Sequence, residues 1–106
     1  MGISTHVLDA RTGRPAAGLE LTLSVQRPGG WEPLGRRVTD ADGRVADLAP
    51  EAAAGVYRLV FAVEDYLAAA TFYPEIVVVF RVTDPAAHHH VPLLLSPFAF
   101  STYRGS

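Results

Sequence analysis

Residues 19–25 read LELTLSV, in which apolar and polar side chains alternate without interruption. Successive side chains of a β-strand point to opposite faces of its sheet, so this pattern predicts a strand with one face in the core and the other outside it. The side chains expected in the core are Leu19, Leu21, Leu23 and Val25. A strand of this kind is stable only beside other strands, which the rest of the chain must supply.

Six other segments are rich in alternating or β-branched residues and predict further strands. They are residues 3–9, 31–40, 56–63, 75–82, 88–95 and 98–104. Pro33 cannot donate a hydrogen bond to a neighbouring strand, so it places its segment near a sheet edge or a bulge. The apolar run in 75–82 (EIVVVFRV) predicts a strand that is buried on both faces. Several short strands at regular spacing favour an all-β fold, a β-sandwich.

Two other local patterns complete this prediction. Residues 64–70 (EDYLAAA) place two acids before three alanines, which predicts one short helix. The stretch DADGR at 40–44 predicts a tight acidic turn in which Gly43 adopts a positive φ. A chain of 106 residues is long enough for one domain, which we expect to span residues 1–106.

The composition excludes several classes of function. The chain contains no cysteine, which excludes disulfides, thiolate metal sites and cysteine nucleophiles, and no lysine, which excludes Schiff-base chemistry. Its formal net charge of -2, without any basic run, argues against a nucleic-acid partner. Met1 and Gly2 lead directly into a predicted strand without a leader-like segment, and no apolar run is long enough to span a bilayer. We therefore expect a cytoplasmic protein with no membrane partner.

The histidines are the side chains best suited to proton transfer near neutral pH. Strand alternation places His88 and His90 on one face of their segment and His89 on the other. His6 lies on the face of the first strand that is opposite to its apolar face, and Arg44 follows the acidic turn. The residues therefore predict a polar face with histidines outside the core.

Two interpretations of these histidines are open from the residues alone. Histidines in strands are most often surface residues or hydrogen-bonded core residues. Two histidines at positions i and i+2, with a third from elsewhere, can also form an open zinc site. The chain has no HExxH helix and few carboxylates near its histidines, so metal is the weaker interpretation and we predict no metal site.

Four longer stretches carry a more specific signal. They are STHVLDARTGRPAAG near the start, TDADGR in the middle, FYPE before the 75–82 segment and HHHVPLLLSPFAFSTYRGS at the end. Together they closely resemble the transthyretin-like proteins, and more narrowly the 5-hydroxyisourate hydrolases of purine catabolism. The ending Tyr-Arg-Gly-Ser is that of the hydrolase branch, and the resemblance runs in order through nearly the whole chain.

The resemblance implies a fold, an assembly and a site. The implied fold is a transthyretin-like sandwich of two four-stranded sheets with one short helix, assembled as a homotetramer with its active sites in the channel between two dimers. The implied catalytic residues, which also bind the substrate, are His6, Arg44 and His90. The C-terminal residues Tyr103, Arg104, Gly105 and Ser106 complete the implied substrate site. No cofactor or metal is implied.

The implied reaction is hydrolysis of 5-hydroxyisourate, a small-molecule substrate, to 2-oxo-4-hydroxy-4-carboxy-5-ureidoimidazoline. His6 and His90 together would activate water, because histidine exchanges protons near neutral pH. Arg44 would hold the anionic substrate and the developing oxyanion with a permanent positive charge and paired donors.

An alternative with the same fold is a transthyretin-like protein that binds a small molecule without catalysis. The carrier branch lacks the histidine pair, the arginine and the Tyr-Arg-Gly-Ser ending. The chain departs from the usual hydrolase pattern at His89, where tyrosine is more frequent, and at residues 98–100, where Phe-Ala-Phe replaces Tyr-Gly-Tyr. These departures lie outside the implied catalytic set, so they concern substrate positioning and not the reaction itself.

Overall fold

The computed structural model describes residues 2–68 and 71–106, and within these ranges it contains nine strands and one helix. The strands are β1 (Ile3–Asp9), β2 (Arg14–Pro15), β3 (Glu20–Arg27), β4 (Gly30–Val38), β5 (Arg44–Ala49), β6 (Gly55–Phe61), β7 (Ile76–Val82), β8 (His89–Leu95) and β9 (Phe100–Thr102). The helix, α1, spans Val63–Leu67. No helix in the described ranges has the length and apolar character needed to cross a membrane.

The first sheet is built around β1. One edge of β1 pairs in parallel with β8, and β8 pairs in turn with the antiparallel β9. The other edge is shared, because β5 pairs with the first part of β1 and the two-residue β2 with its end. The first sheet therefore has five strands, with β2 and β5 sharing one edge of β1.

The second sheet has the antiparallel order β4-β3-β6-β7. The pairing of β3 with β4 shifts by one residue between Leu23 and Ser24, opposite Gly35 and Pro33. β4 lies at the sheet edge, where a missing proline donor has the least effect. The predicted edge position and bulge at Pro33 are thus both confirmed.

Each sheet contributes one apolar face to a single core, which confirms the predicted sandwich. The alternating residues of 19–25 that were expected inside are all buried.

The helix closes one end of this core with Val63 and Leu67. Its Tyr66 hydroxyl donates to Asp9 Oδ2 at 3.0 Å, and the same carboxylate accepts from Arg11 Nη2 at 3.1 Å. Of the helix predicted over 64–70, residues 69 and 70 lie outside the described ranges.

Three details of the predicted strands were wrong. The strand β7 is not buried on both faces, because only one face of its sheet packs on the core, and Val77 and Val79 on the other face are 44% and 55% exposed. The strand β5 was not predicted, since its sequence RVADLA alternates poorly. The last strand is shorter than 98–104, although Gly105 returns to form a single bridge with His90.

Candidate functional site

The outward face of the first sheet carries the polar side chains that the sequence pattern placed outside the core. Parallel pairing sets Ser4 of β1 beside His90 of β8, although 86 residues separate them in the chain. Antiparallel pairing sets His6 of β1 opposite Arg44, the first residue of β5. Strand register therefore gathers His6, Arg44 and His90 on one face.

A pocket of about 340 Å³ opens on this face. Its lining residues are Ser4, Thr5, Arg44, Ala46, His88, His90 and Ser106. Three predicted site residues, Arg44, His90 and Ser106, thus share one pocket. His6 does not line it but is next to it, being paired with Arg44 and close enough for its charge to act on His90.

Tyr103 and Arg104 line a different pocket. This second pocket, about 330 Å³ in volume, lies between β7 and the first residues of β8, and its lining includes His89, His90 and residues 78–81. The two pockets meet at His90, which lines both. The predicted substrate residues are therefore split between two adjoining pockets, because the chain leaves β9 after Thr102.

The C-terminal segment is held against His90 by its backbone. Gly105 N–H donates to the His90 carbonyl oxygen at 2.9 Å. A β-carbon on Gly105 would lie 2.6 Å from His90 Cδ2, closer than real β-carbons approach another atom, and 3.2 Å from Pro92 Cγ. Glycine is required here for close approach rather than for backbone freedom, and this approach places Ser106 at the pocket.

Ser4 connects two histidines at the pocket. Its Oγ lies 2.7 Å from His90 Nδ1 and 2.7 Å from His88 Nε2. The two imidazole rings are nearly parallel, 23° apart in plane, with centroids 6.4 Å apart. Since Nδ1 of His90 is engaged by Ser4, Nε2 is the ring nitrogen left for water or substrate.

Sequence reasoning assigned no function to Ser4. The signal that would have found it is its position two residues before His6 on the same strand face.

The environment of His90 favours its neutral form. Burial lowers the pKa of His90 below that of an ordinary histidine, and the nearby positive charges of Arg44, His88 and His6 lower this pKa further. A neutral imidazole can accept a proton from water, so His90 is suited to act as a base near neutral pH.

Arg44 is positioned by the acidic turn that the sequence predicted. Asp40 Oδ1 accepts hydrogen bonds from the backbone N–H groups of Asp42 at 2.9 Å and Arg44 at 3.0 Å, and Gly43 has a φ of +73°. The turn delivers Arg44 to the start of β5, directly opposite His6. Among the ion pairs of residues 2–68 and 71–106, none includes Arg44, so its charge is available to an anion in the pocket.

His89 points away from the first pocket and lines the second one. Its side chain is buried, and its Nδ1 lies 3.1 Å from the Ala87 carbonyl oxygen, to which an Nδ1–H would donate. The predicted division between His88 and His90 on one face and His89 on the other is confirmed. In the described part of the chain, no cluster of three or more His, Cys, Asp or Glu side chains is arranged to hold a metal ion.

Comparison with known proteins supports the predicted fold and assigns the chain to a family. The model of the HIUase/Transthyretin family matches residues 3–105. A 5-hydroxyisourate hydrolase of Salmonella typhi is 46% identical, over 98% of this chain and 80% of that protein. A 5-hydroxyisourate hydrolase of Caulobacter vibrioides is 42% identical, over 99% of this chain and 98% of that protein.

Two solved structures are similar over nearly the entire chain. The 5-hydroxyisourate hydrolase of Klebsiella pneumoniae superposes with a TM-score of 0.86 at 37% identity, covering 100% of both chains. Sea bream transthyretin in complex with thyroxine superposes with a TM-score of 0.91 at 32% identity, covering 99% of this chain and 95% of that one. The transthyretin-like sandwich is thus confirmed, and the chain belongs to the HIUase/transthyretin family.

Proposed function

We propose that this protein hydrolyses 5-hydroxyisourate to 2-oxo-4-hydroxy-4-carboxy-5-ureidoimidazoline in the degradation of urate. The observation that carries the proposal is that Arg44, a permanent cation, and His90, whose surroundings favour its neutral form, line one pocket together with Ser106. Relatives that bear the hydrolase name, at 42–46% identity, support the same reaction.

The proposed reaction adds water to a ring carbonyl and breaks the adjacent ring C–N bond. It needs a base for the water, a proton donor for the departing nitrogen and a positive charge beside the tetrahedral oxyanion. We assign water activation to His6 and His90 together, since both lie on the outward face and His90 is favoured in its neutral form. Arg44 binds the anionic substrate and stabilises the oxyanion through its planar pair of donors.

The C-terminal segment forms the remaining part of the proposed substrate site. Gly105 packs against the His90 ring, and Ser106 offers a hydroxyl at the pocket. Tyr103 and Arg104 stay in the proposed set because their own pocket adjoins the first one at His90. A substrate that extends past His90 would contact both of them.

We further propose that the working state is a homotetramer with its active sites in the channel between two dimers. The outward face that carries His6, Leu8, His90 and Leu94 is half-buried within a single chain. Exposed apolar residues, Val77 and Val79, also lie on the edge strand β7, which pairs with β6 on one side and with no strand on the other side within the described ranges. Such faces and edges are commonly covered by a second subunit. Light scattering that found a fully active monomer of about 11.4 kDa would contradict this assembly.

The test of the reaction uses freshly generated substrate. Urate oxidase and urate produce 5-hydroxyisourate, whose decay is followed optically with and without this protein. We expect decay to accelerate in proportion to protein concentration, and the rate to survive dialysis against chelators. A loss of rate that zinc restored would contradict catalysis without metal, and a decay unaffected by the protein would contradict the reaction.

The alternative function is small-molecule binding without catalysis. It is favoured by the similarity to sea bream transthyretin, which was solved with thyroxine. The same assay separates the two functions, because a carrier would bind a ligand in the pocket and leave the decay unchanged. A cytoplasmic location stays a prediction, which fractionation of the producing cells would check.

A further inference from the structure

Ser4 occupies an unusual place among the polar residues of the outward face. Its side chain is buried, and its single hydroxyl lies within 2.7 Å of a ring nitrogen of each of two histidines. A serine hydroxyl can donate one hydrogen bond and accept two. When both rings are neutral, it can donate to one histidine only while it accepts from the other.

The protonation of the two rings is therefore coupled. In one arrangement, His90 Nδ1–H donates to Ser4 Oγ, and Ser4 O–H donates to His88 Nε2. His90 Nε2 is then unprotonated and can accept a proton. In the reverse arrangement, Ser4 donates to His90 Nδ1, His88 Nε2–H donates to Ser4, and His90 Nε2 carries a proton.

We propose that Ser4 is a positioning residue that holds His90 in the first arrangement and relays a proton between His90 and His88 during hydrolysis. The inference rests on the proposed function, which it extends by giving His88 and Ser4 defined roles. His90 remains the group that meets water, while Ser4 acts through it.

The proton transfers of this relay balance both when water attacks and when the C–N bond breaks. As water attacks the ring carbonyl, its proton passes to His90 Nε2, the Nδ1 proton passes to Ser4 Oγ, and the Ser4 proton passes to His88 Nε2. His88 becomes an imidazolium while His90 stays neutral. When the C–N bond breaks, the three transfers reverse, and His90 Nε2 delivers the proton to the departing nitrogen.

The environments of the two rings favour this direction of transfer. His90 is partly buried with the guanidinium of Arg44 nearby, and both features disfavour a positive charge on its ring. His88 is exposed to solvent, which stabilises an imidazolium. The cation formed between the two chemical steps is thus held on the more exposed of the two rings.

The first experiment needs no substrate. Nuclear magnetic resonance of ring nitrogens in the full chain labelled with ¹⁵N-histidine distinguishes protonated from unprotonated positions. At a pH where both rings are neutral, we expect a proton on Nδ1 of His90 and none on its Nε2. Ser4→Ala should abolish this preference, and Ser4→Thr, which keeps the hydroxyl, should retain it. A wild-type His90 protonated on Nε2, or the same tautomers in Ser4→Ala, would overturn the proposal.

The second experiment measures turnover. Ser4→Ala should lower kcat by about 10²-fold, the lower end of the range for proton-transfer catalysis, with KM little changed. Ser4→Thr should recover most of the loss. The matched control is Ser24→Ala, which removes a buried serine hydroxyl from β3 in the other sheet.

Rates in mixtures of H₂O and D₂O identify the relay itself. If several protons move in the rate-limiting step, the turnover rate should depend on the deuterium fraction along a curve in the wild type. In Ser4→Ala the dependence should be linear. Wild-type kcat in Ser4→Ala would overturn the relay. An inactive wild type would overturn the proposed function and the relay with it, whereas the ring tautomers would still show whether Ser4 couples the two histidines.

Discussion

His89 and His90 are neighbours in the chain with opposite surroundings. His89 is 5% exposed and lies on the inward side of β8, with its Nδ1 near a backbone carbonyl. His90 lies on the outward side, against Gly105 and in one pocket with Arg44 and Ser106. The same residue type serves packing on one face and, in the proposed function, chemistry on the other, because each step along a strand reverses the side-chain direction.

The first strand shows the same contrast with hydroxyls. Thr5 faces inward, and its Oγ1 donates to the Val91 carbonyl oxygen at 2.6 Å. Ser4 faces outward, and its hydroxyl meets the two histidines. Backbone partners satisfy the inward hydroxyl permanently, whereas the outward hydroxyl has partners that can themselves exchange protons. The outward face of β1 and β8 is therefore where substitutions should alter turnover more than stability.

Removing residues 103–106 tests this contrast with the largest expected effect. A chain that ends at Thr102 should form a tetramer with a modestly lowered melting temperature and almost no turnover. It loses the hydrogen bond from Gly105 to His90, worth about 1 kcal/mol, together with the hydroxyl of Ser106. Thermal melting, light scattering and the optical assay measure the stability, assembly and turnover of this shortened chain. Turnover at the full rate would show that the segment has no part in the chemistry.

Substituting the histidines tests directly whether catalysis depends on the outward face of the first sheet. His6→Ala and His90→Ala should each lower turnover by roughly 10²–10⁴-fold, the usual range for a general acid or base. The matched control is His89→Ala, which should cost far less turnover and act on stability through the loss of a buried polar contact. If steady-state kinetics found His89 to be the sensitive residue, the assignment of catalysis to the outward face would be wrong.

Two substitutions of Arg44 separate the effect of its charge on turnover from the effect of its donor geometry. Arg44→Lys should lower kcat/KM by about 10²–10³-fold, nearly as much as Arg44→Ala, because lysine keeps the charge but loses the planar pair of donors. Steady-state kinetics of both variants provide the comparison. Near-normal activity in the lysine variant would reduce Arg44 to a simple counter-charge.

Gly105→Ala should disturb the site without removing any functional group. The added methyl would meet the His90 ring, so either the ring or the C-terminal segment must move, with a loss in turnover of up to about 10²-fold. Gly35→Ala is the matched control, since its new methyl would meet only the flexible end of Arg37. Equal activity in the two variants would show that close packing on His90 is unimportant.

The smallest expected effect is on pH dependence. The pKa of His90 is lowered by burial first and then by the charges of Arg44, His88 and His6, so its basic form should persist below the ordinary histidine pKa of about 6.5. The acid limb of kcat/KM should therefore lie below about pH 6.5. The contribution of His90 to stability has the matching sign, being present above that pH and lost as pH falls through its folded pKa. An acid limb above about pH 6.5 would contradict this assignment.

Much of the fold was predictable from the sequence because burial in a strand follows a local period. Alternation alone identified 3–9 and 19–25 as strands, together with the faces that they bury. The same argument separated His89 from its neighbours. It failed for β7, since a run of apolar residues does not reveal whether a second layer covers both faces, and for β5, whose pairing with β1 depends on the turn at Gly43.

The sequence by itself determined which side of its strand each histidine occupies, and the family resemblance added the catalytic set that we propose. Only the tertiary structure decided that Ser4 reaches both His88 and His90, that Gly105 packs on the His90 ring, and that Tyr103 and Arg104 enter a separate pocket. The direction of a side chain depends on its own backbone, whereas its neighbours across a sheet depend on the order and register of strands far apart in the chain.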